Sequence, residues 1–141
     1  LGTMPQDMVA SPAYLAARGR PDNPAGLVGH CIVGFRPSLT LTMRGPEGPV
    51  TVELEAQVAV NDPKTLVAVI RGGSGIGVVP RFLARPGLDD GTLEILLPEF
   101  RLPPAEMSIV HYGPGAANPR ADLFATFLQR EMHGLRTALH V

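Results

Sequence analysis

The chain predicts an α/β domain built on a mixed sheet, because two hydrophobic periodicities alternate along it. Apolar residues recur at every second position in Leu39–Met43 and Val50–Val60, the period of a half-buried strand. They recur at three- and four-residue spacing after Asp62-Pro63 and Asn118-Pro119, the period of a helix with one buried face. Short apolar runs stand between the helical stretches, so strands and helices alternate with one hairpin inserted.

Val9-Ala10 reads as the end of a strand. Ser11 is a good N-cap, and Pro12 at the first helical position loses only an N–H that has no partner there. Gly19 can close this helix in a left-handed conformation, and a polar loop leads on to His30. Cys31-Ile-Val-Gly-Phe35 is an apolar run that continues into Arg36, with Cys31 as a small buried side chain. Leu39, Leu41 and Met43 alternate with Thr40, Thr42 and Arg44, and Gly45-Pro-Glu-Gly-Pro49 punctuates the chain before the next alternating run. This predicts an antiparallel hairpin whose second strand spans Val50 to Asn61. Asn61-Asp62-Pro63 then offers a carboxylate cap, and Leu66, Val67, Val69 and Ile70 share one helical face that Gly72-Gly-Ser-Gly75 terminates. A short buried strand is expected at Ile76–Val79 and a brief helix at Pro80–Arg85, stopped by Pro86-Gly87. Strands at Leu93–Leu97 and Met107–Tyr112 follow, separated by a loop around Pro103-Pro104. Asn118-Pro119 opens the last and longest helix, with Leu123, Phe124, Phe127, Leu128 and Met132 on its apolar stripe.

At 141 residues the chain is one domain or part of one, and its net charge of −1 with 18% charged residues gives no footprint for nucleic acid. It holds no apolar run long enough to span a membrane and starts with no basic, apolar leader. Its Leu start suggests a piece of a longer protein. Cys31 alone cannot form an internal disulfide, which suits a reducing cytoplasm. Trp is absent and aromatics make up 5% of the chain, which weakens base- or sugar-stacking roles.

Several motifs invite a chemical reading and lose it on inspection. Gly72–Gly77 is glycine-rich, but a phosphate cradle follows a strand and opens a helix, and here the order is reversed. His30 and Cys31 are adjacent, so on a strand they point to opposite faces and cannot act as base and nucleophile together. His30, His111, His133 and His140 lack metal-ligand spacing, and the last two are expected on the solvent side of the tail. Glu53 and Glu55 lie on one face of a strand, the wet face of the hairpin. No residues suggest a Ser-His-Asp arrangement, no metal site or cofactor is implied, and the chain is not expected to be an enzyme. The helix starts at Ser11, Asp62 and Asn118 present free N–H groups, which cap structurally and which a cleft can also turn toward a small carboxylate.

The run Val9-Ala-Ser-Pro-Ala-Tyr-Leu-Ala-Ala-Arg-Gly-Arg-Pro, leading to Gly29-His30, resembles the effector-binding domain of LysR-type transcriptional regulators. The same order of landmarks continues through Phe35-Arg36, Val60-Asn-Asp62, Gly75-Ile-Gly-Val-Val-Pro80, Gly91-Thr-Leu93 with Leu97-Pro98, and Pro119–Phe124 with Phe127-Leu128. The resemblance implies a subdomain of the periplasmic-binding-protein type 2 fold, with a C-terminal strand and helix belonging to the other subdomain. Residues 11–105 would form the second subdomain, and residues 1–10 and 107–141 would be remnants of the first. It further implies a small-molecule effector, an anion being one of the options, bound by Ser11, Phe35, Arg36, Asn61, Asp62 and Thr65. Phe35 would give apolar contact, Arg36 would pair a carboxylate, and Asn61 and Thr65 would hydrogen-bond beside a helix start. The alternative places Phe35 in the core and Arg36 on the surface. DNA would be met only through a helix-turn-helix domain absent from this chain, and the last helix would expose an apolar face prone to self-association. Two other readings remain at this point, a fragment of a solute-binding protein of the same fold and a small α/β enzyme.

Overall fold

The computed structural model describes residues 1–110 and 119–138. In chain order the elements are β1 (Gly2–Met4), β2 (Gln6–Ala10), α1 (Pro12–Arg18), a 3-10 helix (Pro24–Gly29), β3 (Ile32–Gly34), β4 (Ser38–Gly45) and β5 (Gly48–Ala59). They continue as α2 (Pro63–Arg71), β6 (Gly77–Pro80), α3 (Arg81–Asp90), β7 (Glu94–Ile95), β8 (Ala105–Met107) and α4 (Pro119–Ala138). The chain divides into two compact units, Gln6–Pro103 and the remainder from both termini.

The larger unit holds two three-stranded sheets, β6-β2-β7 and β3-β5-β4. A parallel bridge between Ile32 and Ile76 joins them, through Ile76 N–H to Cys31 O at 2.9 Å and Val33 N–H to Ile76 O at 2.8 Å. The combined order is therefore β4-β5-β3-β6-β2-β7, and it is mixed as expected: β3 runs parallel to β5, while β2 runs antiparallel to both its neighbours. The β4–β5 hairpin turns at Pro46-Glu47, and Gly48 takes a positive φ of 119° there. Its alternation is visible in the burial, with Leu41, Met43 and Leu54 buried and Thr40, Thr42, Glu53 and Glu55 exposed.

Two apolar clusters fill this unit. One gathers Met8, Tyr14, Leu15, Leu27, Ile32, Leu41, Met43 and Leu54. The other places Leu66, Val67 and Ile70 of α2 against Val9, Val33, Val79, Ala84 and Leu93. The Gly72–Gly77 stretch is the passage between α2 and β6. A Cβ on Gly75 would stand 2.4 Å from the Cys31 carbonyl oxygen, so the close approach of β3 to β6 requires glycine there.

Several elements differ from expectation. The brief helix runs on through Pro86 and Gly87 to Asp90 and ends at Gly91 in a left-handed conformation. Tertiary packing outweighs the breakers here, because Leu93 donates its N–H to the Gly87 carbonyl and lays its side chain where a Gly87 Cβ would stand. The polar stretch before His30 is a 3-10 helix capped by Asn23, whose side chain accepts from Gly26 N–H. Gly19 has the expected positive φ, but its ψ of 170° is extended rather than helical. The strand at Leu93–Leu97 is cut to two residues, since Leu97 adopts a φ of 48°. Cys31 is half-buried rather than buried.

In the smaller unit β1 pairs antiparallel with β8, and the N-terminal ammonium donates to the Met107 carbonyl at 2.9 Å. The strand expected from Met107 instead ends there, and its far end, with His111 and Tyr112, lies outside the described residues. So do the Asn118 cap and His140. On α4, Leu123, Phe124, Phe127 and Leu135 are exposed, as is His133.

Candidate ligand-binding end of the larger unit

Strand direction sorts the predicted site residues. Gln6 pairs with Pro80, so the start of β2 lies beside the carboxyl end of β6. The parallel Ile32–Ile76 bridge and the parallel β3–β5 pair put the carboxyl ends of β3 and β5 toward that same end. The chain also enters and leaves the unit here, with Gln6 Nε2 donating to the Pro103 carbonyl at 3.0 Å. In open α/β sheets, such carboxyl ends are where ligands are met.

Phe35, Arg36, Asn61, Asp62 and Thr65 all belong to this end. Val60 N–H donates to Gly34 O at 2.9 Å, so the segments after β3 and β5 leave adjacent strand ends. Phe35 is 48% exposed, which removes it from the core, and Arg36 and Asn61 are exposed without a partner among the described residues. Asp62 caps α2: its Oδ2 accepts the Thr65 N–H at 2.8 Å and the Thr65 hydroxyl at 3.0 Å. The Thr65 backbone bond, with the hydroxyl bond behind it, holds the Asp62 carboxyl below its ordinary value. A carboxylate thus already occupies the positive end of α2. Arg36 remains the group suited to an anion, while Asp62 and Thr65 oxygens suit a ligand that donates hydrogen bonds.

Ser11 is not with the other five. It follows the opposite end of β2, its side chain is 3% exposed, and its hydroxyl accepts the Tyr14 N–H at 3.1 Å. It lies beside Gly73, past the carboxyl end of α2, whereas Asp62 stands at the amino end. A helix of nine residues separates them, about 13 Å along its axis.

One pair at the candidate end has only a weak trace in sequence. Asp7, 6% exposed, takes Arg81 Nε at 2.9 Å on one oxygen and Nη2 at 2.8 Å on the other. These bonds hold the Arg81 guanidinium even more firmly protonated than usual. The signal was an acid at the head of the apolar run Met8-Val9-Ala10 and an arginine directly after Pro80. Arg81 also opens α3, whose start has no side-chain cap. A separate groove of about 530 Å³ lies between the 3-10 helix and the hairpin, lined by Leu27, Val28, Leu39, Glu53 and Glu55 among others, and includes none of the six predicted residues. Among the described residues no cluster of His, Cys, Asp or Glu could hold a metal, and no helix is long and apolar enough to cross a membrane.

The larger unit's sheet and helices agree with known proteins. The chain is 36% identical over 107 residues to the HTH-type transcriptional activator AaeR of Escherichia coli K12, covering 74% of this chain and 35% of that one. It is 30% identical over 133 residues to the HTH-type regulator YhjC of the same organism, covering 91% and 44%. It therefore spans between a third and a half of the length of these relatives. Among solved structures, CrgA of Neisseria meningitidis, a LysR-type transcriptional regulator, matches with a TM-score of 0.72 at 27% identity, over 93% of this chain and 46% of that one. Full-length AphB of Vibrio cholerae, at 24% identity, shares the fold with a TM-score of 0.66 over 73% and 36%. These neighbours carry the periplasmic-binding-protein type 2-like fold of LysR-type regulatory domains. The family model of the LysR substrate binding domain matches residues 1–133, and the chain belongs to that family.

Proposed function

We propose that this chain is part of the ligand-sensing domain of a LysR-type transcriptional regulator and that Gln6–Pro103 is the lobe presenting one side of the effector site. The observation that carries the reading is the gathering of Phe35, Arg36, Asn61, Asp62 and Thr65 where the chain enters and leaves this unit. Phe35 offers an exposed apolar face and Arg36 an unpaired guanidinium. Asn61, Asp62 and Thr65 offer hydrogen-bonding groups. The effector is a small organic molecule, with a carboxylate or other anion directed to Arg36 and donor groups toward the start of α2. Ser11 caps α1 and has no part in recognition.

The parent protein places its DNA contacts in a helix-turn-helix domain outside this chain and works in the cytoplasm. No bond is made or broken in the lobe. Effector binds one arrangement of the two lobes better than another, and that difference in affinity shifts the oligomer between DNA-bound states. The names of the relatives favour a regulator over a transport-associated binding protein.

The test is a thermal-shift screen of the parent protein against organic acids and their neutral analogues, followed by titration of the best ligand. Arg36→Ala should weaken an anionic ligand by about tenfold or more, Phe35→Ala should weaken any ligand, and Ser11→Ala should leave affinity unchanged. Unchanged affinity in both Arg36→Ala and Phe35→Ala would reject this end as the site.

A further inference from the structure

At the far end of the larger unit, Tyr14, His30 and Cys31 form a three-group relay of hydrogen bonds. Cys31 N–H donates to the Tyr14 hydroxyl oxygen at 3.0 Å, and the same hydroxyl lies 2.9 Å from His30 Nδ1. The backbone amide can only donate, so the phenol oxygen is its acceptor. With the phenol proton directed to Nδ1, the hydroxyl both accepts from Cys31 and donates to His30, which is then neutral imidazole with its own proton on Nε2. Tyr14 is 6% exposed within the core, and its ring stands 5.8 Å from the imidazole. Among the described residues the hydroxyl has no hydrogen-bond partner besides the Cys31 amide and His30 Nδ1.

Protonation of His30 would reverse this arrangement. Nδ1 would become a donor, the hydroxyl would have to accept from it as well as from Cys31, and the phenol proton would lose the acceptor it has here. The charged groups around the imidazole add to the cost. Arg18, from α1, reaches back over the loop to the Gly29 carbonyl at 3.4 Å and repels an imidazolium. The 3-10 helix and β3 carry no carboxylate; Glu53 and Glu55 of β5 line the groove beside the 3-10 helix, and neither is a bonding partner of His30. Burial first and Arg18 second push His30 below its ordinary value.

We propose that Tyr14, His30 and the Cys31 amide form an acid-sensitive latch, in which neutral His30 fastens α1 to the start of β3 and protonated His30 releases it. The sign follows from linkage. A histidine held below its unfolded value stabilises the latched state above that value, 6.5, and the stabilisation is lost as pH falls through the lowered midpoint. The released element is α1 with the chain that follows it. The β4–β5 hairpin is held by its own backbone ladder, from the Ser38/Glu55 pair to the Gly45/Gly48 pair.

The experiment is NMR on the whole chain, following the His30 ring signal and amide exchange between pH 8 and about 5, with exchange corrected for its intrinsic pH dependence. His30 should titrate below 6.5. Protection of the Cys31 amide should fall with it, by at most about tenfold per pH unit for a one-proton event, while the Leu54 amide in β5 stays protected. His30→Asn keeps an acceptor near Nδ1 that cannot titrate, and should make Cys31 protection flat across the range. Tyr14→Phe removes both bonds and should leave that amide poorly protected at every pH. A His30 midpoint at or above 6.5, an undiminished pH response in His30→Asn, or equal loss at Leu54 would each overturn the latch.

Discussion

Arg81→Ala should destabilise the larger unit far more than a typical surface change, and the structure sets how much. Asp7 is 6% exposed and both its oxygens are filled by Arg81, so the variant strands a buried carboxylate. Breaking a fully buried pair from one side costs about 3–5 kcal/mol. Arg81 is itself 54% exposed in its side chain, so water already reaches one flank and can follow into the gap. About 2 kcal/mol is the discounted figure. Asp7→Asn is the milder change, about 1 kcal/mol, because the guanidinium left behind is open to solvent. Arg85→Ala in the same helix is the control: its partner Asp89 is 3.8 Å away and both side chains are about 70% exposed, so no measurable change is expected. Urea denaturation reads all three, and with a slope of about 1–3 kcal/mol/M the Arg81→Ala midpoint should drop by roughly 1 M. A cost for Arg81→Ala equal to that of Arg85→Ala, or smaller than that of Asp7→Asn, would refute the reasoning.

Other outcomes follow from the same geometry. Gly75→Ala drives a Cβ against the Cys31 carbonyl and should cost about 2–3 kcal/mol, whereas Gly29→Ala meets nothing within 4 Å and should be near neutral in the same denaturation assay. Asp62 and Asp90 are both held below their ordinary 3.8, by Thr65 and Thr92; their stabilisation is present above that value and lost as pH falls through the lowered ones. The Asp62→Asn, Asp90→Asn double variant should therefore lose less of its stability than the wild type between about pH 5 and pH 2. Replacing Phe124 and Phe127 of α4 with Asp should reduce self-association of the isolated chain on size-exclusion chromatography, since both rings are exposed.

Much of the architecture could be read because local signals and tertiary packing agree. Period-two alternation across Leu39–Met43 and Val50–Val60 specifies which face is buried, and the observed pairing of Leu39 with Leu54 and Leu41 with Val52 keeps that face continuous. Asp62-Pro63 states a helix start that the structure uses atom for atom. Agreement fails where a tertiary contact outweighs the local rule. Pro86-Gly87 is a breaker by composition, yet Leu93 and the buried Ala84 retain the helix around it. Leu93–Leu97 has strand composition, but its leucines serve the core from an irregular backbone and leave two residues in the ladder.

The candidate site was legible by residue type and not by position, and Ser11 shows why. Ser11-Pro12 and Asp62-Pro63 carry the same message, a capped helix with free N–H groups at its start. Capping says that a helix begins; it does not say at which end of the sheet. That depends on the direction of the preceding strand, which only pairing reveals. β5 runs parallel to β3 and delivers Asp62 to the end where the chain crosses. β2 runs antiparallel to β6 and carries Ser11 away from it. Asp7, four residues before Ser11, occupies the end that Ser11 leaves, and its partner Arg81 is distant in sequence. Two helix starts of equal local quality thus divide between the candidate end and the opposite end of the sheet by strand polarity, and the opposite end is where Tyr14 and His30 meet.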